Sequence, residues 1–193
     1  MVGNAVLYRC RNSRRQVFDK EVIKMFRYIN GMQITQIRKI YEEDIPLVYD
    51  LMQGNPLYFQ YCPPMATVQS IAEDMKALPP RTTYDDKYYV GFYEKEKLVA
   101  VMDLILNFPN QETAFIGFFM VDKDMQGNGV GTSIVSEVFE RLKERGYKHV
   151  RLGFAKGNSQ SEAFWLKNGF ARTGVEDVQE RYTVVVMERQ LCE

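Results

Sequence analysis

Residues 121–133 read VDKDMQGNGVGTS and place three glycines within five positions. An apolar run, Thr113 to Val121, precedes this stretch, and a helical pattern begins at about Val130. Glycine is used where φ must be positive or where another group must approach the main chain closely. A strand, a glycine-rich turn and a helix N-terminus together present unpaired N–H groups and partial positive charge, which suit a phosphate. The stretch therefore predicts an anion-binding loop.

Two nucleotide-binding motifs fit this loop poorly. A P-loop needs Lys followed by Ser or Thr after its last glycine, whereas Gly131 is followed by Thr132 and Ser133. A dinucleotide fingerprint is spaced G-x-G-x-x-G, whereas this loop is spaced G-x-G-x-G. A nucleotide-binding oxidoreductase is accordingly a remote alternative.

The segment Gln126–Gly131, QGNGVG, matches Q/R-x-x-G-x-G/A and resembles the pyrophosphate signature of the GCN5-related N-acetyltransferase (GNAT) superfamily. Residues 158–170, NSQSEAFWLKNGF, resemble its second signature, an Asn, a helix and Gly-Phe. The resemblance covers about Met32 to the C-terminus. It implies an α/β fold with a mixed, mostly antiparallel central sheet flanked by helices, and a splayed strand pair at the coenzyme site. Residues 32–193 would form the acyl-CoA N-acyltransferase domain, and residues 1–31 an N-terminal extension.

The resemblance implies transfer of an acetyl group from acetyl-CoA, the acyl-donor cosubstrate, to an amine by direct attack in a ternary complex, without a metal. The backbone of Phe119, Met120 and Val121 would pair with the pantetheine arm, Asn158 would bond it, and Trp165 would lie beside the thioester. The pyrophosphate would contact the loop residues Gln126, Gly127, Asn128, Gly129, Val130, Gly131 and Thr132. The acceptor is an amine of an unidentified small molecule, peptide or protein.

The catalytic positions depart from the family pattern. Trp165 stands where a Tyr commonly serves as acid, and Gly153 stands where some members place a Glu base. The N–H of Val121 is the candidate that polarises the thioester carbonyl. Candidate replacement bases are Asp103, Glu112 and Asp122, and candidate acids are Tyr147 and Tyr182. The alternative hypothesis is a catalytically silent acetyl-CoA- or CoA-binding or sensing module.

Periodicity predicts the remaining elements. The strands are expected at 32–40, 88–93, 98–106, 113–121, 150–154 and 182–189, and the helices at 42–52, 67–78, 130–146 and 159–168. Residues 55–65 and 174–182 are expected to be loops on the acceptor side. Tyr58, Phe59 and Tyr61 could line an aromatic pocket there, whereas the carboxylates of Glu176, Asp177 and Glu180 are expected to be solvated.

The extension carries a probable amphipathic helix whose apolar side chains recur at helical spacing: Phe18, Val22, Met25, Phe26 and Ile29. A homodimer contact and packing against the same chain are the two open alternatives for this face.

Composition limits the classes of partner. The chain has 193 residues, and its 25 basic residues balance 25 acidic ones, so no net field attracts nucleic acid or an anionic membrane. No apolar run is long enough to span a bilayer, and a cytoplasmic location is expected. Three scattered cysteines and one histidine indicate neither a disulfide framework nor a zinc site.

Overall fold

A seven-stranded sheet forms the centre of the computed structural model, which describes residues 34–191. The strands are β1 (Gln36–Lys39), β2 (Lys87–Glu94), β3 (Lys97–Ile105), β4 (Thr113–Val121), β5 (His149–Ala155), β6 (Ala171–Val178) and β7 (Thr183–Gln190). The α-helices are α1 (Ile45–Gln53), α2 (Pro56–Tyr61), α3 (Val68–Lys76), α4 (Val130–Glu144) and α5 (Ser159–Lys167). The strand order is β1-β2-β3-β4-β5-β7-β6, with only β4 and β5 parallel among the paired strands described. The predicted fold class is confirmed.

The parallel pair β4 and β5 is joined by a crossover that contains the glycine loop and α4, as parallel strands require. Its pairing covers four positions, from Thr113 opposite His149 to Ile116 opposite Leu152. Beyond Ile116, β4 continues to Val121 beside β3, while β5 continues beside β7. The two strands therefore diverge after Ile116. We call this divergence the fork; it is the splayed strand pair that the resemblance implies.

Helices cover both faces of the sheet. α4 begins at Val130, as predicted, and its buried side chains are Val130, Ile134, Val135, Val138, Phe139 and Leu142. They share a core with Trp165 and Phe170 on one face. α1 and α3 pack on the other face through Val48, Leu51 and Ile71. Each fully buried aliphatic side chain contributes about 1.5–3 kcal/mol to the free energy of folding. Because buried side chains lie on both faces of the sheet, the two cores stabilise β4 from both sides.

Two predicted loops contain regular structure instead. Residues 55–65 include α2, because Pro56 occupies the first helical turn, where its missing N–H costs nothing. Residues 174–182 include the end of β6, a strand that the sequence did not reveal. All eight residues of β6 are exposed, so it shows no alternation of buried and exposed side chains.

The predicted extension, residues 1–31, and its proposed dimer contact lie outside the described residues. Within residues 34–191, no helix is both long and apolar enough to cross a membrane. In the same range, no group of three or more His, Cys, Asp or Glu side chains could hold a metal ion.

Candidate active site

A cleft of about 450 Å³ opens at the fork. Its walls are residues 54–58, residues 119–121, loop and helix positions Lys123, Gln126, Gly127, Gly129, Gly131 and Thr132, and α5 positions Asn158, Gln160, Ser161, Phe164, Trp165 and Lys167. All of the predicted coenzyme-contacting residues line this cleft except Asn128 and Val130. Val130 is instead a core residue, 3% exposed. The structure thus brings two distant sequence motifs to one cavity.

The backbone of β4 is oriented toward the cleft. The N–H of Asp122 donates to the carbonyl of Val99 at 2.8 Å, which makes these two residues a hydrogen-bonded pair. Hydrogen-bonded and non-hydrogen-bonded pairs alternate in antiparallel strands. The pairs Ala100–Val121 and Met102–Phe119 are therefore non-hydrogen-bonded. The N–H and carbonyl groups of Phe119 and Val121 consequently point away from β3, toward the side from which β5 has diverged.

Two different physical constraints require glycine at the three positions of the loop. Gly127 and Gly129 have φ of 77° and 79°, a left-handed conformation that costs other residues roughly 1 kcal/mol or more. Gly131 lies within α4, where a Cβ would come 3.1 Å from Cε2 of Phe164 and 3.3 Å from Cγ2 of Val121. The first two glycines shape the turn, and the third allows close packing of α4 against β4 and α5.

The charge of the cleft is positive. The N-terminus of α4 opens into it, and Gly129, the N-cap residue, provides no side-chain cap hydrogen bond. A 15-residue helix places partial positive charge at this end. Lys123 and Lys167 also line the cleft, and no carboxylate is present among the described residues that form its walls. Lys167 carried no sequence signal, because a lysine near a helix end is usually only solvated.

A second missed residue, Asn55, fixes the loop. Nδ2 of Asn55 donates to the carbonyl of Leu51 at 2.8 Å, and its Oδ1 accepts from Nε2 of Gln126 at 2.7 Å. The same Gln126 nitrogen donates to the carbonyl of Val121 at 2.9 Å. The motif glutamine therefore anchors the loop to β4 and to the end of α1. A lone Asn before a proline gave no hint of this contact.

Asn158 and Trp165 are both buried at the cleft wall. Asn158 is the N-cap of α5, and its Oδ1 accepts from the N–H of Ser161 at 3.0 Å. Trp165 is 6% exposed and packs on aromatic rings, 4.8 Å from Phe164 and 5.2 Å from Phe170 between ring centroids. A contact from Asn158 to a ligand would thus fall to Nδ2, and Trp165 contributes to the core as well as to the cleft.

Two of the predicted bases are engaged elsewhere. Glu112 precedes β4 at the end opposite the cleft, roughly 30 Å from Val121 at strand spacing, and forms an ion pair with Lys148 at 2.6 Å. Asp122 lies at the correct end of β4, but Oδ1 accepts from the N–H of Asp124 and Oδ2 pairs with Lys97. The structure does not bring Glu112 to the site and gives Asp122 a capping role.

Asp103 lies on the opposite face of the sheet from α4. Its carboxylate is buried, and Oδ2 is 2.8 Å from Nζ of Lys87. Burial raises the pKa of Asp103, and the Lys87 ammonium opposes that rise. Asp74 of α3, an exposed residue, lies near the same Lys87; partial desolvation raises the pKa of its carboxyl, and the Lys87 ammonium opposes that rise.

The two candidate acids, Tyr182 and Tyr147, lie on opposite faces of the sheet. Tyr182 lies near Cys62 and Asp74, and burial followed by these two groups raises its pKa. Tyr147 is 2% exposed in the α4 core, with its hydroxyl 3.1 Å from Oδ1 of Asn107. Tyr182 therefore lies on the face of the sheet that carries α2 and α3, whereas Tyr147 lies in the core on the α4 face.

Aromatic side chains pack beside the fork on the face that carries α2. Tyr58 packs edge-on against Phe59 and Phe118, with ring centroids 5.0 and 5.7 Å apart. Burial, followed by the neighbouring Cys62, raises the pKa of Tyr58 well above its ordinary value. Glu176 pairs with Lys156 in an exposed position, as expected for a solvated carboxylate. Tyr58 and Phe59 thus pack against the core beside β4, and of the three predicted aromatic residues only Tyr58 lines the described cleft.

A sequence model of the acetyltransferase (GNAT) family matches residues 48–170, which include β4, the glycine loop and α5. The chain belongs to the GNAT acetyltransferase family. This GNAT chain is 33% identical over 66 residues to an uncharacterized N-acetyltransferase of Methanocaldococcus jannaschii. That match spans 34% of the chain and 29% of the relative's length.

Solved GNAT structures share the fold. An acetyltransferase from Thermus thermophilus superposes with a TM-score of 0.63 at 19% identity, covering 80% of this chain and 96% of that one. The ribosomal-protein-S18-alanine N-acetyltransferase of Escherichia coli gives 0.59 at 15% identity, covering 82% and 94%. The PaiA N-acetyltransferase of Thermoplasma acidophilum, in complex with coenzyme A, gives 0.59 at 16% identity, covering 80% and 99%.

Proposed function

We propose that this GNAT chain is an acetyl-CoA-dependent N-acetyltransferase that acts by direct attack of an amine in a ternary complex. The observation that carries the proposal is the fork. It aims backbone groups of Phe119 and Val121 along a cleft that ends at the glycine-bounded N-terminus of α4. A row of backbone amide groups that leads to an anion-binding helix N-terminus fits the pantetheine arm and the pyrophosphate of coenzyme A.

The residues that would hold the coenzyme divide by chemistry. The amides of the loop and of the first turn of α4 face the pyrophosphate, because convergent N–H donors and helix partial charge bind diphosphate. Lys123 and Lys167 add compensating charge. The N–H and carbonyl of Phe119 and the N–H of Val121 face the pantetheine amides, much as a neighbouring strand would, whereas the carbonyl of Val121 accepts from Gln126. The N–H of Val121 then polarises the thioester carbonyl, which stabilises charge that develops on its oxygen.

The acceptor is proposed to enter from the face that carries α2 and Tyr182. On that face Tyr58, Phe118 and Asp103 adjoin the fork, whereas the opposite face is filled by the core of α4. The Escherichia coli neighbour is named for an alanine of a ribosomal protein. A protein N-terminus is therefore one class of amine to test beside small molecules.

The coenzyme assignment is tested with Gly129→Glu and its matched control Gly129→Ala. Both substitutions strain a residue with φ of 79°, but only Glu adds a carboxylate where diphosphate is proposed to sit. We expect Gly129→Ala to weaken acetyl-CoA binding less than about tenfold and Gly129→Glu to abolish it in calorimetry. Equal affinities of the two variants would contradict the assignment.

The second candidate function is a silent module that binds acetyl-CoA or CoA without turnover. The observation that favours it is the pair of departures at Gly153 and Trp165, since Trp165 lies buried in an aromatic cluster and offers no transferable proton. Release of free thiol from acetyl-CoA, measured with and without each amine of a library, separates the two. Amine-dependent release supports the enzyme, and tight binding without release supports the silent module.

A further inference from the structure

Asp103 carries a buried oxygen atom for which the described residues provide no hydrogen-bond partner. The residue is 8% exposed, Oδ2 lies 2.8 Å from Nζ of Lys87, and Oδ1 has no partner. The hydroxyl of Tyr89, the residue directly opposite Asp103 on β2, is likewise buried and without a partner. A buried carboxylate normally uses both oxygens, since an unmatched one loses hydration without compensation. Among the described residues, the ion pair with Lys87 is therefore the one polar contact that compensates the burial of this carboxylate.

Asp103 is not part of the cleft wall, but a bulge in β4 brings one of its carboxylate oxygens close to the fork. The register of β3 against β4 shifts between Asp103 and Leu104, so Gly117 is an extra residue in β4. Gly117 is the first residue after the last β4–β5 pair, and it is exposed. A Cβ on Gly117 would come 3.0 Å from Oδ2 of Asp103. The missing side chain therefore leaves Oδ2, the oxygen that also pairs with Lys87, beside the open fork.

We propose that Asp103 is the catalytic residue that takes a proton from the acceptor amine, and that Lys87 is the positioning residue that holds its carboxylate. The inference rests on the proposed function. An ammonium group, R–NH₃⁺, that reaches the exposed position of Gly117 donates to Oδ2, the carboxylate oxygen on that side, and transfers one proton to it. The nitrogen lone pair then forms the C–N bond, the C–S bond breaks, and the electron pair leaves on sulfur. The second nitrogen proton ends on the thiol, and Asp103 releases the first to solvent.

The charges around Asp103 suit this role. Lys87 and Tyr89 face it from β2, and Asp74 faces it from α3; Tyr58, Cys62 and Tyr182 lie beyond Asp74. Burial raises the pKa of Asp103 while Lys87 restrains that rise. A carboxylate with a raised pKa is a stronger base than an exposed one, and the neighbouring Lys87 ammonium stabilises its ionised form. One basic side chain, Lys87, lies near two acidic ones, Asp74 and Asp103, and this balance favours the approach of a positively charged amine.

The experiment measures thiol release from acetyl-CoA at several pH values with four amines: propylamine, cadaverine, phenethylamine and a hexapeptide with a free N-terminus. Asp103→Asn should lower kcat about a hundredfold or more, while acetyl-CoA affinity by calorimetry stays within about twofold. The low-pH limb of kcat/KM should vanish in Asp103→Asn. In Lys87→Met it should move to higher pH, because the charge that restrains the pKa is gone. Asp50→Asn, an exposed carboxylate on α1, is the control.

The double variant Asp103→Asn/Lys87→Met guards against misfolding, since it removes both members of the buried pair together. It should bind acetyl-CoA and lack turnover, as Asp103→Asn does. Retention of kcat within about threefold in either Asp103 variant overturns the assignment, as does an unmoved pH limb in Lys87→Met. If the wild-type chain binds acetyl-CoA but turns over none of the four amines, the base role falls with the transferase. If it does not bind acetyl-CoA, the proposed function itself has failed.

Discussion

The side chains of Asn55 and Gln126 meet across 71 residues of sequence, with Nε2 of Gln126 2.7 Å from Oδ1 of Asn55. Nδ2 of Asn55 is also within 3.3 Å of the carbonyl oxygen of Val121. One amide pair thus joins the end of α1, the end of β4 and the glycine loop. The position of the loop depends on a residue that the loop motif does not contain.

Asn55→Ala should loosen the loop without altering any loop residue. Loss of these hydrogen bonds is expected to reduce stability by about 1–2 kcal/mol and to weaken acetyl-CoA binding by about tenfold. Urea unfolding and calorimetry measure the two effects. Gln69→Ala removes an exposed amide that bonds Glu73 on α3, and it should change neither quantity. Unchanged binding in Asn55→Ala would show that the loop holds its shape alone.

Lys167→Met should weaken coenzyme binding through charge rather than shape. Its ammonium is one of two at the cleft wall, and we expect about a fivefold to tenfold loss of acetyl-CoA affinity at low salt. The loss should shrink as salt is raised. KM for S-acetyl-N-acetylcysteamine, a donor without phosphates, should stay the same. Lys143→Met, an exposed lysine on α4, is the matched control; an equal effect there would mean that only net charge matters.

Trp165 is expected to serve packing rather than proton transfer. Trp165→Phe keeps an aromatic ring against Phe119 and Phe170, so most turnover should survive. Trp165→Ala removes a ring that is 6% exposed and should cost about 3–5 kcal/mol of stability. Thermal unfolding and thiol release measure the two. A hundredfold fall in turnover of a folded Trp165→Phe would assign the indole a chemical role.

The prediction for Asp44 concerns stability against pH. Its carboxylate accepts from Nη1 and Nη2 of Arg38 at 2.6 Å each and from the N–H of Tyr41, which lowers its pKa below the ordinary value. A lowered folded-state pKa means that the stabilisation is present above about pH 4 and is lost as pH falls through the folded value. Asp44→Asn should therefore cost about 1–2 kcal/mol at pH 7 and progressively less in acid. Urea unfolding at pH 7 and pH 3 tests this, with Asp50→Asn as control; a pH-independent difference would contradict it.

Local patterns predicted the fold where burial is one-sided or complete. β4 was expected at residues 113–121 and lies there, and the apolar repeat of α4 began where expected. β6 escaped prediction because its exposure is uniform, so pairing with β7 rather than composition makes it a strand. The glycine loop could be recognised because its constraints are backbone constraints. Asn55, Lys167 and the isolation of Oδ1 of Asp103 could not, since each depends on contacts between segments that are distant in sequence.

The fork also has a mechanical consequence. Within the described chain, the strand group β1–β4 and the strand group β5–β7 are joined in the sheet by only four residue positions, Thr113–Ile116 against His149–Leu152. Beyond this short seam, the two halves of the described chain are joined mainly through the shared α4 core, so we expect the diverging strand ends to be the least protected part of the sheet. A molecule seated between β4 and β5 would bridge the halves above the seam. Amide protons of both strand ends should then exchange more slowly, and the sheet would stiffen as a single plate.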